Sequence, residues 1–242
     1  MKTLIIIPSR MSASRLPGKP LLKINGISII SHVVKRAQIA DIGEVVVATE
    51  DKEIIDDVKS NGGDAILTSR NHKTGTDRIY EAYSIMSRND IDYIMNIQGD
   101  EPDIDVNDIR NLDQKMKLYE SKIGTLAANI LDKEIYNNEN VVKVKLKEKF
   151  EENSFPHAHN FMRKTSDKID VYHHMGIYSY ALNTLKKFIS LSQSKNELEN
   201  KLEQLRALDN DININVALAS KSPIGVDTKE DYLAIKKIMK YK

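Results

Sequence analysis

The chain has 242 residues, of which 40% are hydrophobic and 29% charged, with a net charge of +1 and no cysteine. That length suits one sizeable α/β domain or two small ones, and the near-zero charge excludes a global field that recruits nucleic acid or a membrane surface. The missing cysteines exclude disulfides and thiolate zinc sites, and they fit a reducing compartment.

The chain begins MKTLIII. Its apolar run is too short for a secretory signal, and no later run approaches the roughly 18 apolar residues of a membrane span. The expectation is a cytoplasmic protein with neither nucleic acid nor membrane among its partners. Leu4, Ile5, Ile6 and Ile7 read as a buried strand that turns into a loop at Pro8. Ile29, Ile30, Val33, Val34 and Ala37 recur at helical spacing and close near Gly43. Residues 44–49 predict a strand, 51–63 a helix with an acidic first turn and a Gly-Gly stop, and 64–69 a strand. Ile79, Ala82, Tyr83 and Met86 mark one face of a third helix, and 92–98 a fourth strand. This β-α-β-α-β-α-β order with short connections predicts a Rossmann-like, mostly parallel sheet with helices on both faces.

The second half is less regular. IGTLAANI, VVKVKL, GIYSYA and NINVALA read as strands, which adds antiparallel pairing to the sheet. ELENKLEQLRAL predicts one helix with Leu198, Leu202 and Leu205 in register. The last helix, TKEDYLAIKKIMKYK, is capped by Thr228 with Asp231 at the capping-box position. Residues 147–172 read as a long polar loop. With no linker or repeat, the expectation is a single domain over 1–242.

Chemistry concentrates at strand ends. The loop after the first strand carries Arg10, Arg15 and Lys19, stiffened by Pro17 and Pro20. It lacks the glycines of a phosphate loop, with Ala13 and Pro20 where Gly and Ser or Thr are needed, and it lacks G-x-G-x-x-G. It must therefore meet phosphates with side-chain cations, which suits a triphosphate of about four charges. A solvated basic loop is the plainer reading at this point. In open α/β sheets ligands bind beyond the carboxyl ends of the strands. Gln98-Gly99-Asp100 follows the fourth strand, so its carboxylate shares that edge. Asp227 precedes the last helix and taken alone reads as a neighbour of its Thr228 cap; beside Asp100 it makes a pair able to hold Mg²⁺ together with phosphate oxygens and water. His157 and His159 are read as solvated loop residues rather than metal ligands. Of the adjacent His173 and His174, a strand turns at most one into a pocket.

PSRMSASRLPGKPL, TGTDR, NIQGDEP, HHMGIY, LEQLR and GVDT, in this order over nearly the whole chain, resemble the 3-deoxy-manno-octulosonate (Kdo) cytidylyltransferases, or CMP-Kdo synthetases. The opening loop alone is shared with other sugar nucleotidyltransferases, including CMP-sialic acid synthetases. The resemblance implies a nucleotide-diphospho-sugar transferase fold, with a nucleotide part over about 1–130 and a sugar and dimer-contact part over about 131–220. It implies Mg²⁺-dependent transfer of CMP from CTP to the anomeric hydroxyl of Kdo, for lipopolysaccharide synthesis, by a homodimer. By resemblance, Pro8, Ser9, Arg10, Arg15, Lys19, Thr74, Gly75, Arg78 and Gln98 bind nucleotide. Lys19, Asp100 and Arg10 are catalytic, and Asp100 and Asp227 hold the metal. Gln98, Arg163, His174, Tyr178, Glu203 and Gln204 bind the sugar. Asp77 stands where the family more often has Glu.

AHNFMRK departs from the family's ALYFSR, and no second arginine follows Arg163 before His173. An octulosonate carboxylate needs a cation or donors, so a modified sugar, such as an amino-substituted octulosonate, and a nine-carbon acid remain alternatives. A nucleotide-binding relative without catalysis is the alternative from outside the enzymes.

Overall fold

The N-terminal apolar run becomes β1 (Thr3–Ser9), with Leu4 through Ile7 fully buried. The structure is a computed structural model that describes residues 1–12, 15–222 and 224–239. After β1 a 3₁₀ turn covers Lys19–Leu21, followed by β2 (Lys23–Ile24), β3 (Ile27–Ser28), α1 (Ile29–Ala40), β4 (Gly43–Thr49) and α2 (Lys52–Ser60). The chain continues through β5 (Asp64–Leu67), α3 (Gly75–Met86), β6 (Tyr93–Asn96), α4 (Val106–Leu118), β7 (Ile123–Ala128) and β8 (Lys143–Leu146). It ends with β9 (Ala158–Met162), β10 (Val171–Ala181), α5 (Leu182–Ser190), α6 (Lys195–Asn200), α7 (Leu205–Leu208), β11 (Ile214–Leu218) and α8 (Lys229–Met239). Among the described residues no helix is long and apolar enough to cross a membrane.

The chain groups into two compact units: Lys2–Ile109 with Pro223–Lys242, and Arg110–Ser222 with Met1. In the first, β6, β1, β4 and β5 lie side by side, all parallel. Continuous apolar strands are what a parallel sheet buried on both faces requires. Each fully buried Ile or Leu contributes roughly 1.5–3 kcal/mol against exposure. Pro8 was expected to open the loop, yet β1 runs on in register with β4, Pro8 opposite Ala48. Its pairing with β6 ends at Ile6, so Pro8 lies beyond that ladder, where a missing N–H costs little. Ser28 caps α1 by accepting the Ser31 N–H at 3.2 Å. The helix closes at Asp41 (φ 53°) rather than at Gly43. Gly43 instead begins β4, where a Cβ would stand 1.9 Å from the Thr3 carbonyl oxygen. β5 and β6 are shorter than expected. Thr228 and Asp231 form the expected capping box of α8: the Asp231 N–H donates to Thr228 Oγ1 at 3.2 Å and the Thr228 N–H to Asp231 at 2.8 Å. The last three residues of that expected helix, and Ala13 and Ser14 of the opening loop, lie outside the described residues.

In the second unit β7 pairs in parallel with β11 and antiparallel with β10, and β8 pairs antiparallel with β10 and β9. Residues 147–172 are therefore not one long loop: they contain β9 and the start of β10. Helices α4 and α5 were absent from the expectation. The helix expected over 197–208 is two. Lys201 adopts φ 54° and breaks it, leaving Leu198 57% exposed. The Arg206 guanidinium then folds back onto the Glu197 carboxylate, at 2.7 and 2.5 Å. Lys143 is fully buried, and its ammonium donates to the carbonyls of Asn138, Val141 and Arg163. Burial and the nearby Arg163 charge lower its pKa.

Candidate functional site

The first unit has a cleft of about 380 Å³ at the ends of β1 and β6. Its lining includes all eleven residues assigned above to nucleotide or metal: Pro8, Ser9, Arg10, Arg15, Lys19, Thr74, Gly75, Arg78, Gln98, Asp100 and Asp227. The opening loop is held from several sides. The Met11 N–H donates to Asp51 Oδ2 at 2.7 Å, and Gly18, at φ 71°, sends its N–H back to the Met11 carbonyl at 3.3 Å. Leu16 and Leu22 pack on a core of Ile24, Ile29, Val226, Ile235 and Met239. The loop thus turns at Gly18, and Lys19 begins the 3₁₀ turn with its side chain toward the β6 end.

There the Lys19 ammonium donates to Asp100 Oδ2 at 2.7 Å and to Asp227 Oδ1 at 3.2 Å. Arg15 pairs with Asp227 Oδ2 at 3.0 Å. Gly99 lets this turn close on β1, since a Cβ would come 3.1 Å from both Ile30 and the Pro8 carbonyl. The Val226 N–H donates to the Asp100 carbonyl at 2.9 Å, which brings the neighbouring Asp227, 208 positions from Lys19 in sequence, into the same site. Arg10 is exposed on the lining and has no side-chain partner among the described residues.

Two carboxylates thus point at one cation, an arrangement that fits Mg²⁺ completed by phosphate oxygens and water. Among the described residues no set of three or more His, Asp or Glu gathers as a cluster able to hold a metal by itself. Beside Asp100, Glu101 is buried with one carboxyl oxygen unpartnered. Burial, with the Asp100 charge, pushes its pKa up to about 8.

The other wall is the β5–α3 connection. Thr74 caps α3, its hydroxyl accepting the Asp77 N–H at 3.2 Å. Asp77 returns the contact to the Thr74 N–H at 3.2 Å, so a shorter acid in place of Glu still closes the capping box. The Arg78 guanidinium, 5% exposed, is spent on Glu50, on Thr68 Oγ1 at 2.6 Å and on the Ser69 carbonyl at 3.2 Å. Arg78 therefore shapes the wall with its charge already neutralised. Ser12, Pro20, His72, Lys73 and Gly99 also line the cleft and were not among the expected site residues. Only the nearness of His72 to TGTDR marked it in the sequence.

The remaining expected sugar residues lie in the second unit. The β10 register jumps from Met175 opposite Leu126 to Tyr178 opposite Thr125, so Gly176 and Ile177 form a bulge between them. At this bulge Thr125 Oγ1 lies 2.7 Å from the Ile177 carbonyl and 3.0 Å from His174 Nε2. The threonine donates to the carbonyl, so His174 carries its proton on Nε2. Burial, then the His173 charge, lowers the His174 pKa to about 3. Its neighbour His173 turns the other way and meets Ser222 Oγ at 2.9 Å.

The Tyr178 ring lies 5.4 Å from His174 and 5.8 Å from Tyr180. Its hydroxyl is buried near Thr125 without completing a hydrogen bond. Burial, and then the Tyr180 and Glu203 charges, raise its pKa. Glu203 and Gln204 sit in the break between α6 and α7, not on a continuous helix face, and Arg206 lies 3.8 Å from Glu203. The Arg163 guanidinium donates to the carbonyls of Glu139, Asn200 and Lys201 at 3.0, 3.0 and 3.1 Å. It secures the turn before Glu203 with three of its five N–H groups.

Comparison with known proteins adds to this geometry. The sequence profile of the cytidylyltransferase family matches residues 4–214. A 3-deoxy-manno-octulosonate cytidylyltransferase from Afipia carboxidovorans is 41% identical over 98% of this chain and 96% of its own length. One of the same name from Brucella canis is 40% identical over 96% of this chain and 93% of its own. A solved CMP:2-keto-3-deoxy-manno-octonic acid synthetase in complex with CTP is 34% identical, with TM-score 0.88, over 100% of this chain and 99% of that one.

Proposed function

We propose a mechanism for a chain that belongs to the 3-deoxy-manno-octulosonate cytidylyltransferase family: a nucleotidyltransferase that joins CMP from CTP to the anomeric hydroxyl of Kdo. The carrying observation is the convergence of Lys19, Arg15, Asp100 and Asp227 in a cleft large enough for a nucleotide. Arg10, Arg15 and Lys19 take the triphosphate, with Pro8, Ser9, Thr74, Gly75, Arg78 and Gln98 as the surrounding nucleotide contacts. Asp100 and Asp227 hold Mg²⁺, which when bound neutralises phosphate charge and favours attack at the α-phosphorus.

The anomeric hydroxyl gives up its proton to solvent as its oxygen bonds to the α-phosphorus in line, and the bond to the bridging α–β oxygen breaks. Pyrophosphate leaves with its negative charge, which the Lys19 ammonium and Arg10 stabilise as it builds. Gln98, His174, Tyr178, Glu203 and Gln204 bind the sugar. In this reading Arg163 acts on the sugar through the turn that presents Glu203. The buried, unpartnered Tyr178 hydroxyl supports this, because such a group normally has a partner and gains one from a polyhydroxylated ligand. The working form is a cytoplasmic homodimer, a reading supported by exposed Leu118, Leu131 and Ile169 in the second unit.

Pyrophosphate release across a panel of sugar acids tests the reading, with CTP against UTP. Kdo with CTP is expected to be the fastest pair. A clear preference for a nine-carbon acid, or CTP binding without turnover of any octulosonate, would overturn it.

A further inference from the structure

The β5–α3 wall is fastened by α3 itself. Arg78 and Glu81, one turn apart, both reach back to it. The Ser69 N–H donates to Glu81 Oε2 at 2.8 Å, while the Ser69 carbonyl accepts from Arg78 at 3.2 Å. The same Glu81 oxygen binds His72 Nε2. Burial opposes the Glu81 charge, but the hydrogen bonds of His72 and Ser69 outweigh it and lower its pKa. Glu81 does not line the cleft and His72 does, with its side chain 15% exposed. His72 Nδ1 has no partner among the described residues.

The cleft divides by charge. Lys19, Arg15, Asp100 and Asp227 are bonded to one another at one side and suit a polyphosphate with its metal. The wall of His72, Thr74, Gly75 and the neutralised Arg78 carries one further cation, the exposed Lys73, and is otherwise uncharged, which suits the nucleobase. A ring whose Nε2–H is committed to a carboxylate presents a lone pair at Nδ1 when neutral. Cytosine carries an exocyclic amine, a donor, where uracil carries a carbonyl, an acceptor. An acceptor fixed at that edge attracts the first and repels the second.

We propose that His72 reads the exocyclic amine of the pyrimidine through Nδ1, and that Glu81 is its positioning residue, setting ring orientation and tautomer while anchoring Ser69. This rests on the reading of the cleft as a CTP site.

Calorimetric titration of CTP and of UTP, without sugar, into the full chain and its variants tests it. His72→Ala is expected to reduce the preference for CTP over UTP about tenfold or more, mostly by weakening CTP. Glu81→Ala is expected to do the same, and the double variant to be no worse than His72→Ala, because the two act as a unit. Glu81→Gln keeps an acceptor oxygen, and retention of the preference within about threefold supports the positioning role. An unchanged preference in His72→Ala with an unaltered melting temperature overturns the proposal. So does equal weakening of CTP and UTP, the mark of a merely structural wall. Failure of the unsubstituted protein to bind CTP would strike instead at the functional reading on which the proposal rests.

Discussion

Asp100 accepts the Lys19 ammonium at 2.7 Å while its own side chain stays 30% exposed. Its loss therefore removes a charged ligand without opening the core. Asp100→Asn is expected to lower kcat by about 10²–10³, the size of effect seen when one preorganised group that stabilises transition-state charge is removed, with a melting temperature near that of the parent. Near-normal turnover would remove Asp100 from the mechanism. For Lys19 the expectation is split. Charge grows on the departing pyrophosphate, so Lys19→Ala should lower kcat by more than it raises the KM for CTP, read from steady-state kinetics at saturating sugar. Poorer affinity with an unchanged maximal rate would contradict this. At this scale the sequence is informative where residues sit at strand ends, as Lys19 and Asp100 do. His72 and Glu81 were illegible as a pair because nine positions with no shared period separate them, and only the turn into α3 joins them.

Among the elements, α6 and α7 show what periodicity cannot see. Leu198, Leu202 and Leu205 are spaced as on one helix, yet Lys201 turns left-handed without a glycine to announce it. The break is held by Glu197 and Arg206, whose side chains are each 4% exposed, with Arg206 also lying over the Phe188 ring at 4.7 Å. Arg206→Met leaves the Glu197 carboxylate buried without its partner and is expected to cost about 3–5 kcal/mol in a urea titration. The paired change to Glu197→Gln with Arg206→Met should cost less than the single one. Strands β1 and β4 were legible because a strand buried on both faces is one apolar run. Strand β8 was legible as VVKVKL, whereas β9 was not, because His159 and Asn160 interrupt it. The Lys143 ammonium reaches three backbone carbonyls, so even a fully buried position in β8 reads as polar. Helix α4 was written in the spacing of Ile109, Leu112 and Met116, three buried residues whose polar neighbours masked the pattern.

For the molecule as a whole, stability must depend on pH through the buried histidine of β10. His174 titrates near 3 when folded and about 6.5 when unfolded. Above pH 6.5 both states are neutral and the contribution is complete. As pH falls below 6.5 the unfolded chain takes a proton that the folded one refuses, and stability declines by about 1.4 kcal/mol per pH unit toward pH 3. Unfolding free energies between pH 6.5 and 5 should show a loss of about 2 kcal/mol from this group. His174→Gln should remove this contribution, leaving a smaller one of the same sign from His173, whose pKa burial also lowers, and an opposite one from Glu101, whose raised pKa favours the fold as pH falls. An unaltered slope would mean that His174 is protonated inside the fold. The alternation of strand and helix patterns, within the bounds of an ordinary composition and charge, had already marked the chain as an α/β protein. They carried no sign of the β10 bulge that buries this ring, because a bulge is a matter of register and register is not a property of composition.

The Lys19 bridge between Asp100 and Asp227 also bears on the order of events. With no nucleotide present the protein supplies its own tethered counter-ion, and a free divalent ion must displace it before it can coordinate either acid. On the proposed reading, a triphosphate would draw the ammonium away and vacate the place. Metal and nucleotide would then be mutually dependent guests, with linkage that runs equally in both directions. Mn²⁺ titrated into the ligand-free chain should bind weakly and tighten at least about tenfold once CTP is present, a gap that Lys19→Ala should narrow. Equal Mn²⁺ affinity with and without nucleotide would show that the tether is no obstacle.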